Sequence, residues 1–489
     1  MKSPVLSGAV HLALFGTLGI ALTGGFLVDL VLPIKTGVVL LFAVAAYAFV
    51  FPAAPSFGIL SRVLVLIYVL PFSVLLGYLV ERDYVWMLTP RGLEIIQDRV
   101  LVAEMIAIGT IGLVGLFLGL RAGAMLGARH TAPRRSTTAT RRTLSLPVYL
   151  PLLVAALGLS WLSAPKETIF QGAYVSEQSA TAADKVNFPA AFLVSYVLLL
   201  VLALDLEHEA NRSVGRLKLV SFLATLAYVV VVLQLLRGNR ESSGLVLAVL
   251  GLFVTAPLLR DAAVEGARRA RRRSLLILAP LLLLIAVFIG LGEARGTYNE
   301  VSARLGVRET LLLGLSQNTW TAVLWTNLSA MWEYREGLLR YKYGQTYLDY
   351  VASLPPGFVT RALGVNRRVE QWSNLNFEDP AGVSAGGLHI VIAPFKNFGA
   401  PGALLILAMI GFLVARVEQA HMRGGVFARL LWAGMLCSSF LWFWYGDMPF
   451  IRAMMAVVLV FAAYQVLLAL RVRAPRKARP AAFPSSLVS

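Results

Sequence analysis

The sequence is poor in charged residues and contains a single cysteine. Asp, Glu, Lys and Arg make up only 14% of the 489 residues, against about 25% in ordinary soluble domains. The lone Cys437 excludes a disulfide within the chain. The sequence also lacks a Walker loop, a zinc-ligand spacing and a Gly-x-Ser-x-Gly nucleophile elbow. These absences argue against the common classes of soluble enzyme.

Hydrophobic residues, at 58% of the chain, lie mostly in continuous runs. A helix needs about 20 apolar residues to cross a bilayer, and only helices and closed barrels satisfy their backbone in lipid. The runs lack the alternation of barrel strands. The sequence therefore predicts an all-α polytopic membrane protein of about twelve transmembrane helices. The predicted spans are 5–28, 37–54, 63–80, 100–120, 146–162, 188–206, 219–236, 244–259, 274–291, 401–417, 426–445 and 451–470.

Positive charge alternates between the predicted loops. Cytoplasmic loops of membrane proteins carry the excess of Lys and Arg. The alternation therefore predicts that both termini are cytoplasmic, and it explains the net charge of +18 without nucleic-acid binding. The first run is expected to be a retained helix, because it is too long for a signal-peptide core. The strongly basic loops are 121–142, 212–218, 260–273, 416–429 and 471–479.

The predicted organisation has four parts. Transmembrane helices 1–9 occupy residues 1–292, a long outer loop occupies 293–387, helices 10–12 occupy 388–470, and a basic tail at 471–489 is expected to be disordered. The loop is too long for a structureless connection, so it should be folded or functional. Interleaved aromatic and basic residues at 309–350 favour a helix at the membrane interface, ending near Pro355. A packing layer without chemistry is the alternative.

A very short loop between the seventh and eighth spans carries Arg237 and Arg240. The positive-inside pattern predicts a neutral loop at this outer position. An arginine presents a planar fork of donors that matches phosphate oxygens. The pair therefore indicates a phosphate site, with interfacial anchoring as the alternative.

The segment before the tenth span combines glycines, a histidine and two prolines. His389 follows the glycine-rich residues 384–387. A neutral imidazole there could accept a proton from a sugar hydroxyl, and a histidine satisfied by a neighbouring helix is the alternative. Pro394 and Pro401 bracket Asn397, which predicts a broken helix at this point.

Three short motifs, in order along residues 238–402, resemble the signature of one family, the Wzy-type O-antigen and oligosaccharide repeat-unit polymerases. In that family a Gly-x-Arg loop joins two middle helices, a Gly-x-Ser/Thr-Tyr … Ile/Leu-Pro stretch lies in the external loop, and Asn-Phe-Gly-x-x-Gly opens a late helix. The matching residues are Gly238-Asn239-Arg240, Gly344-Gln345-Thr346-Tyr347 with Leu354-Pro355, and Asn397-Phe398-Gly399 with Gly402. Many members carry a glutamate four residues before the Asn, where this chain has Ala393. That departure leaves the general base open.

The resemblance implies a GT-C-like glycosyltransferase with a large helical periplasmic loop, in the inner membrane of a bacterium. The donor would be a growing glycan on undecaprenyl diphosphate, and the acceptor one repeat unit on the same carrier, with no metal or cofactor required. Preorganised arginines would stabilise the charge that develops on the diphosphate leaving group. The expected partners are these lipid-linked glycans, the bilayer and a chain-length regulator of the polysaccharide co-polymerase kind.

The candidate site residues follow from this interpretation. Arg240 would bind the diphosphate, with Arg237 in support. His389 is the first candidate for the base, followed by Glu333 and Glu336. The aromatic side chains of Trp332, Tyr334 and Tyr347 could stack on sugar rings. Further candidates for substrate binding are Arg335, Arg340, Tyr347, Arg361, Arg367, Arg368, Lys396 and Asn397.

Three other functions remain open at this point. An O-antigen ligase would transfer a finished chain to lipid A core instead of to another repeat unit. A polysaccharide flippase or transporter should have a polar interior pathway and symmetric halves, whereas the polar residues here cluster in one outer loop. A scaffold or assembly subunit would make the arginine pair accidental.

Overall fold

The computed structural model describes residues 41, 58–75, 94–95, 97–128, 196–204, 245, 248–249, 251–252, 319–348, 389–445 and 448–473. These residues contain no strand, so the predicted all-α class is confirmed for them. A 3₁₀ segment, Leu70–Leu75, directly follows the helix Ile59–Val69. The principal helices are α1 (Ile59–Val69), α2 (Arg99–Ala128), α3 (Thr319–Arg335), α4 (Ile392–Arg423), α5 (Val426–Tyr445) and α6 (Met448–Arg473).

Two helices in this part of the chain are long and apolar enough to cross a bilayer. They are Arg99–Leu126 within α2 and Ile392–Arg423, which is α4. Shorter apolar helices at Ile59–Phe72, Val426–Ser439 and Ala453–Val466 coincide with three more predicted spans. These helices support a membrane protein at the coarse level. The predicted spans 5–28, 146–162, 219–236 and 274–291, and the tail beyond 473, lie outside the described residues.

The interface between α2 and α4 is the most extensive among these helices, and glycine makes it close. Gly115, Gly119 and Gly123 recur every fourth residue along one face of α2, and a methyl group on any of them would collide with α4. Small residues at this spacing let helix backbones approach in membranes. The backbone carbonyls that these glycines face belong, in the same order, to Leu404, Ala408 and Phe412. The two helices are therefore parallel.

Glu418, near the end of α4, caps the start of α1. Its Oε1 accepts a hydrogen bond from the Leu60 N–H at 3.0 Å, and its Oε2 accepts one from the Gly58 N–H at 3.1 Å and one from Ser61 Oγ at 2.5 Å. The carboxylate thus satisfies backbone donors that the first helical turn leaves without partners. Since the end of α4 meets the start of α1, α1 runs antiparallel to α2 and α4.

Helix α3 departs from the prediction in the residue at which it ends. It ends at Arg335, about twenty residues before the predicted stop at Pro355. Gly337, with φ 73°, occupies the left-handed position of a Schellman motif, in which the Leu338 N–H donates to the Glu333 carbonyl at 2.8 Å. Five consecutive residues, 327–331, are buried on all sides. This part of the helix is therefore packed among neighbouring elements.

Candidate functional site

The site forms where a bend in α4 meets the loop segment 336–348. The bend lies at Gly399, whose φ of 67° and ψ of −154° are accessible to glycine and strained for other residues. Pro401 follows in the same helix. The predicted break between Pro394 and Pro401 is thus confirmed. Its physical cause is local, because proline removes a backbone donor and glycine permits the turn.

At the bend, two backbone carbonyls of α4 accept hydrogen bonds from the loop segment 336–348. Pro401 has no N–H to donate to the Asn397 carbonyl, which instead accepts the Tyr343 N–H at 3.0 Å. The neighbouring carbonyl, that of Lys396, accepts the Lys342 N–H at 3.0 Å. The loop backbone is therefore held against the start of α4 by two consecutive hydrogen bonds.

The buried side chain of Asn397 joins the two chain segments. Its Oδ1 accepts the Gly344 N–H at 2.9 Å, and its Nδ2 donates to Thr346 Oγ1 at 2.6 Å and to the Ala393 carbonyl at 2.8 Å. Gly344, with φ 87°, turns the loop against the ring of Phe398. An amide is the side chain that can accept from one backbone group while donating to a hydroxyl and a carbonyl.

Aromatic rings support this junction. Tyr334 stacks on Tyr341 with ring centroids 5.0 Å apart, and both meet the edge or face of Phe395. The Tyr334 hydroxyl lies 3.1 Å from the Lys396 carbonyl, within hydrogen-bond distance. Tyr334, a candidate for sugar stacking, is therefore half-buried and packs against the residues that position the loop. Tyr343, by contrast, is 79% exposed.

His389 is buried just before α4, and both ring nitrogens are engaged. Nε2 donates to the Tyr68 carbonyl at 2.7 Å, and Nδ1 accepts the Val391 N–H at 3.2 Å. The rings of Tyr68 and Phe72 contact the imidazole edge to face. Burial lowers the pKa of His389 to about 4, against the opposing effect of the hydrogen bond to Tyr68. The neutral imidazole required of a base is present at pH 7, but its lone pair is already used.

Replacing His389 by glutamine is expected to flatten the fall in stability between about pH 7 and pH 4. The pKa is depressed in the folded state relative to about 6.5 in the unfolded chain, so the contribution is complete above pH 6.5 and is lost as pH falls toward 4. The difference should reach about 3 kcal/mol, at about 1.4 kcal/mol per pKa unit. Thermal unfolding of the wild type and the variant is measured across this pH range in the same detergent. Stability that falls equally with pH in both proteins would contradict the assignment.

The candidate acids Glu333 and Glu336 lie at the end of α3 in different surroundings. Glu333 is fully buried, whereas Glu336 is exposed beside Arg335, with 3.7 Å between Oε1 and Nε. Arg335 also pairs with Asp98, 2.5 Å from Nη2 to Oδ2. Partial burial acts to raise the pKa of Asp98, but hydrogen bonds from Arg335 and Leu101 outweigh it and leave that pKa below its usual value. Arg335 thus ties α3 to the start of α2.

Three of the remaining predicted residues differ in their exposure to solvent. Lys396 is buried at the start of α4, while Tyr347 is half-buried and Arg340 is exposed. Among the residues that the structure describes, no three His, Cys, Asp or Glu side chains are grouped to hold a metal ion. Five candidates lie outside the described residues: Arg237, Arg240, Arg361, Arg367 and Arg368.

Sequence reasoning missed two residues that organise the site. Thr346 was part of a motif, but its bond to Asn397 depends on tertiary contact and has no local signal. Asp98 does have a local signal, because an aspartate three residues before Leu101, at the start of an apolar run, is typical of a helix N-cap. The structure confirms that cap, since Asp98 Oδ1 accepts the Leu101 N–H at 3.0 Å.

The site is thus a bent helix start held against a loop by Asn397, with a buried histidine behind it and charged residues of α3 beside it. Comparison with models of protein families, with curated proteins and with solved structures found no match to this chain. The case for a function therefore rests on the residues and contacts of the chain itself.

Proposed function

We propose that this chain is a membrane glycosyltransferase that polymerises undecaprenyl diphosphate-linked oligosaccharide repeat units at the periplasmic face of a bacterial inner membrane. The observation that carries the proposal is the contact between Asn397 and the pair Gly344 and Thr346. Gly344 and Asn397 are 53 residues apart in the chain and belong to two separate motifs of the resemblance. The bond from Asn397 to Thr346 is buried and the bond from Gly344 to Asn397 is part-buried, and motifs matched by chance would have no reason to meet through such direct contacts.

The relative directions of the helices support the same proposal. The alternating basic loops require the spans at 100–120 and 401–417 to cross in one direction and the span at 63–80 to cross in the other. Helices α2 and α4 are parallel, and α1 is antiparallel to both. With this arrangement the bend at Gly399, the segment 336–348 and Asp98 lie at one common end, which the charge pattern assigns to the outside.

The proposed reaction needs one base and one stabilised leaving group. A hydroxyl oxygen of the acceptor sugar attacks the anomeric carbon of the donor, the bond from that carbon to the diphosphate oxygen breaks, and the hydroxyl proton passes to the base. Undecaprenyl diphosphate leaves with the bonding electron pair. Arg240 is the proposed stabiliser of that charge, and His389, Glu333 and Glu336 are the candidates for the base. Near-normal turnover of the His389→Gln variant would assign the base to a carboxylate such as Glu333.

Arg240→Ala is expected to lower polymerisation by about a hundredfold or more, the usual effect of removing one preorganised charge-stabilising donor. The measurement is the glycan ladder made by cells that carry the variant as their only copy, with the amount of membrane protein followed on an immunoblot. Arg121→Ala, at the opposite end of α2, is the matched control and should keep the ladder. A ladder of wild-type length from Arg240→Ala would contradict the proposed role.

A further inference from the structure

A small pocket lies beside the start of α2, away from the contact between Asn397 and the loop. Its volume is about 210 Å³, and it is lined by Glu94, Ile95, Asp98 and Trp332. Trp332 precedes Tyr334 by two residues on α3, so the two side chains point about 200° apart around the helix. Because Tyr334 packs toward Lys396, the pocket opens on the other side of α3.

The walls of the pocket are fixed on one side and exposed on the other. Asp98 is held by the Leu101 N–H and by Arg335, and Ile95 is 5% exposed. Trp332 is half-buried and packs against the hydrophobic core. Glu94 is exposed at the rim. Among the residues that the structure describes, the pocket wall therefore presents one indole ring beside two carboxylates, and an ion pair between Asp98 and Arg335 links α3 to the start of α2.

This chemistry selects among possible ligands. Because Asp98 is paired with Arg335, Glu94 leaves the described wall with a net negative charge that disfavours a phosphate or diphosphate, and a purely apolar ligand would cover the carboxylates without hydrogen-bonding them. A sugar ring satisfies both surfaces, since its hydroxyls donate to carboxylates and its C–H face packs on the electron-rich face of an indole. Pockets for drug-sized ligands measure about 300–1,000 Å³. The smaller volume here fits one ring and excludes a whole oligosaccharide.

We propose that this pocket binds one pyranose ring of the glycan at a position remote from the bond that is formed. The identity of that glycan as a lipid-linked repeat unit rests on the proposed function, whereas the binding of a sugar ring by Trp332 and Glu94 does not. A remote ring that binds equally in the ground state and the transition state affects KM and leaves kcat unchanged.

The test uses the full-length protein in lipid nanodiscs and two readouts. Calorimetric titration with the lipid-free repeat-unit oligosaccharide and its component monosaccharides measures binding, and ladder formation with varied acceptor concentration measures KM and kcat. Trp332→Ala should weaken binding and raise KM by about tenfold, whereas Trp332→Phe, which keeps an aromatic face, should change either by no more than about threefold. Glu94→Gln, at an exposed position, should raise KM about threefold without affecting folding.

Gln97→Ala is the matched control, because Gln97 is exposed on the same turn and does not line the pocket. It should bind and react as the wild type does. Suppose that the wild type makes a ladder and that Trp332→Ala and Glu94→Gln both keep wild-type KM and affinity. The pocket is then not a sugar site, although the proposed polymerase activity is retained. If instead the wild type binds the saccharide but makes no ladder, and Trp332→Ala abolishes the binding, the sugar site is retained and the polymerase activity is rejected.

Discussion

Asn397→Ala is expected to abolish glycan polymerisation and to destabilise the protein by about 3 kcal/mol. The substitution removes the hydrogen bonds to the Gly344 N–H, Thr346 Oγ1 and the Ala393 carbonyl. The Thr346 hydroxyl is then left in a buried site, where an unsatisfied polar group costs about 1–3 kcal/mol, and the half-buried Gly344 N–H loses its acceptor. The segment 336–348 loses its side-chain attachment to α4, so the geometry of the proposed site is lost with it.

Graded variants separate this effect from a general loss of folding. Thr346→Ser keeps the hydroxyl that Asn397 donates to and should retain most of the activity. Thr346→Val removes only that acceptor and should be intermediate. The measurements are ladder length in cells and the thermal midpoint of the purified proteins. Full ladder formation by Asn397→Ala, at a normal level of protein, would show that the contact between the two motifs is irrelevant to activity.

Gly119→Leu is expected to prevent assembly of the folded protein. A side chain at Gly119 meets the backbone carbonyl of Ala408 on α4, and a backbone atom cannot swing aside as a flexible side chain can. Overpacking in protein cores costs about 1–3 kcal/mol when side chains can shift, so a collision with backbone should exceed that range. We expect little monodisperse protein after extraction, as measured by size-exclusion chromatography with fluorescence detection.

Ala122→Leu provides the control for this packing prediction. Ala122 lies on the same helix but is exposed, so a larger apolar side chain there meets no neighbour in the described structure. The two variants introduce the same side chain into α2 at positions three residues apart. Equal yields and equal thermal midpoints for Gly119→Leu and Ala122→Leu would contradict the close contact between α2 and α4.

Features that depend on local chemistry could be predicted from the sequence. The break in α4 follows from Pro401 and Gly399, whose backbone restrictions act within one turn. The helix at 426–445 was predicted with the bounds that the structure has, because a single apolar run lies between a Gly-Gly pair and polar residues. The end predicted for α3 is wrong, although the sequence has a local signal for the observed end. Gly337 is a typical helix C-cap residue, whereas the aromatic pattern continues to 350 and favours a longer helix.

Features that depend on distant contacts could not be predicted in this way. Glu418 caps α1 by accepting a hydrogen bond from the Leu60 N–H, 358 residues earlier in the chain, and its sequence neighbourhood resembles any basic cytoplasmic loop. The burial of residues 327–331 of α3 could not be predicted for a related reason. Aromatic residues mixed with arginines suit a membrane surface and a buried packing layer alike, and only the neighbouring helices distinguish the two.

The most direct test of the proposed function is reconstitution of the purified protein in liposomes with an undecaprenyl diphosphate-linked repeat unit. Products are separated on a gel, and lipid A core is offered as a competing acceptor in a parallel reaction. We predict a ladder of increasing glycan length, with release of undecaprenyl diphosphate and no need for lipid A core. Transfer only to lipid A core would identify a ligase, and the absence of product with either acceptor would contradict a glycosyltransferase and favour a transporter.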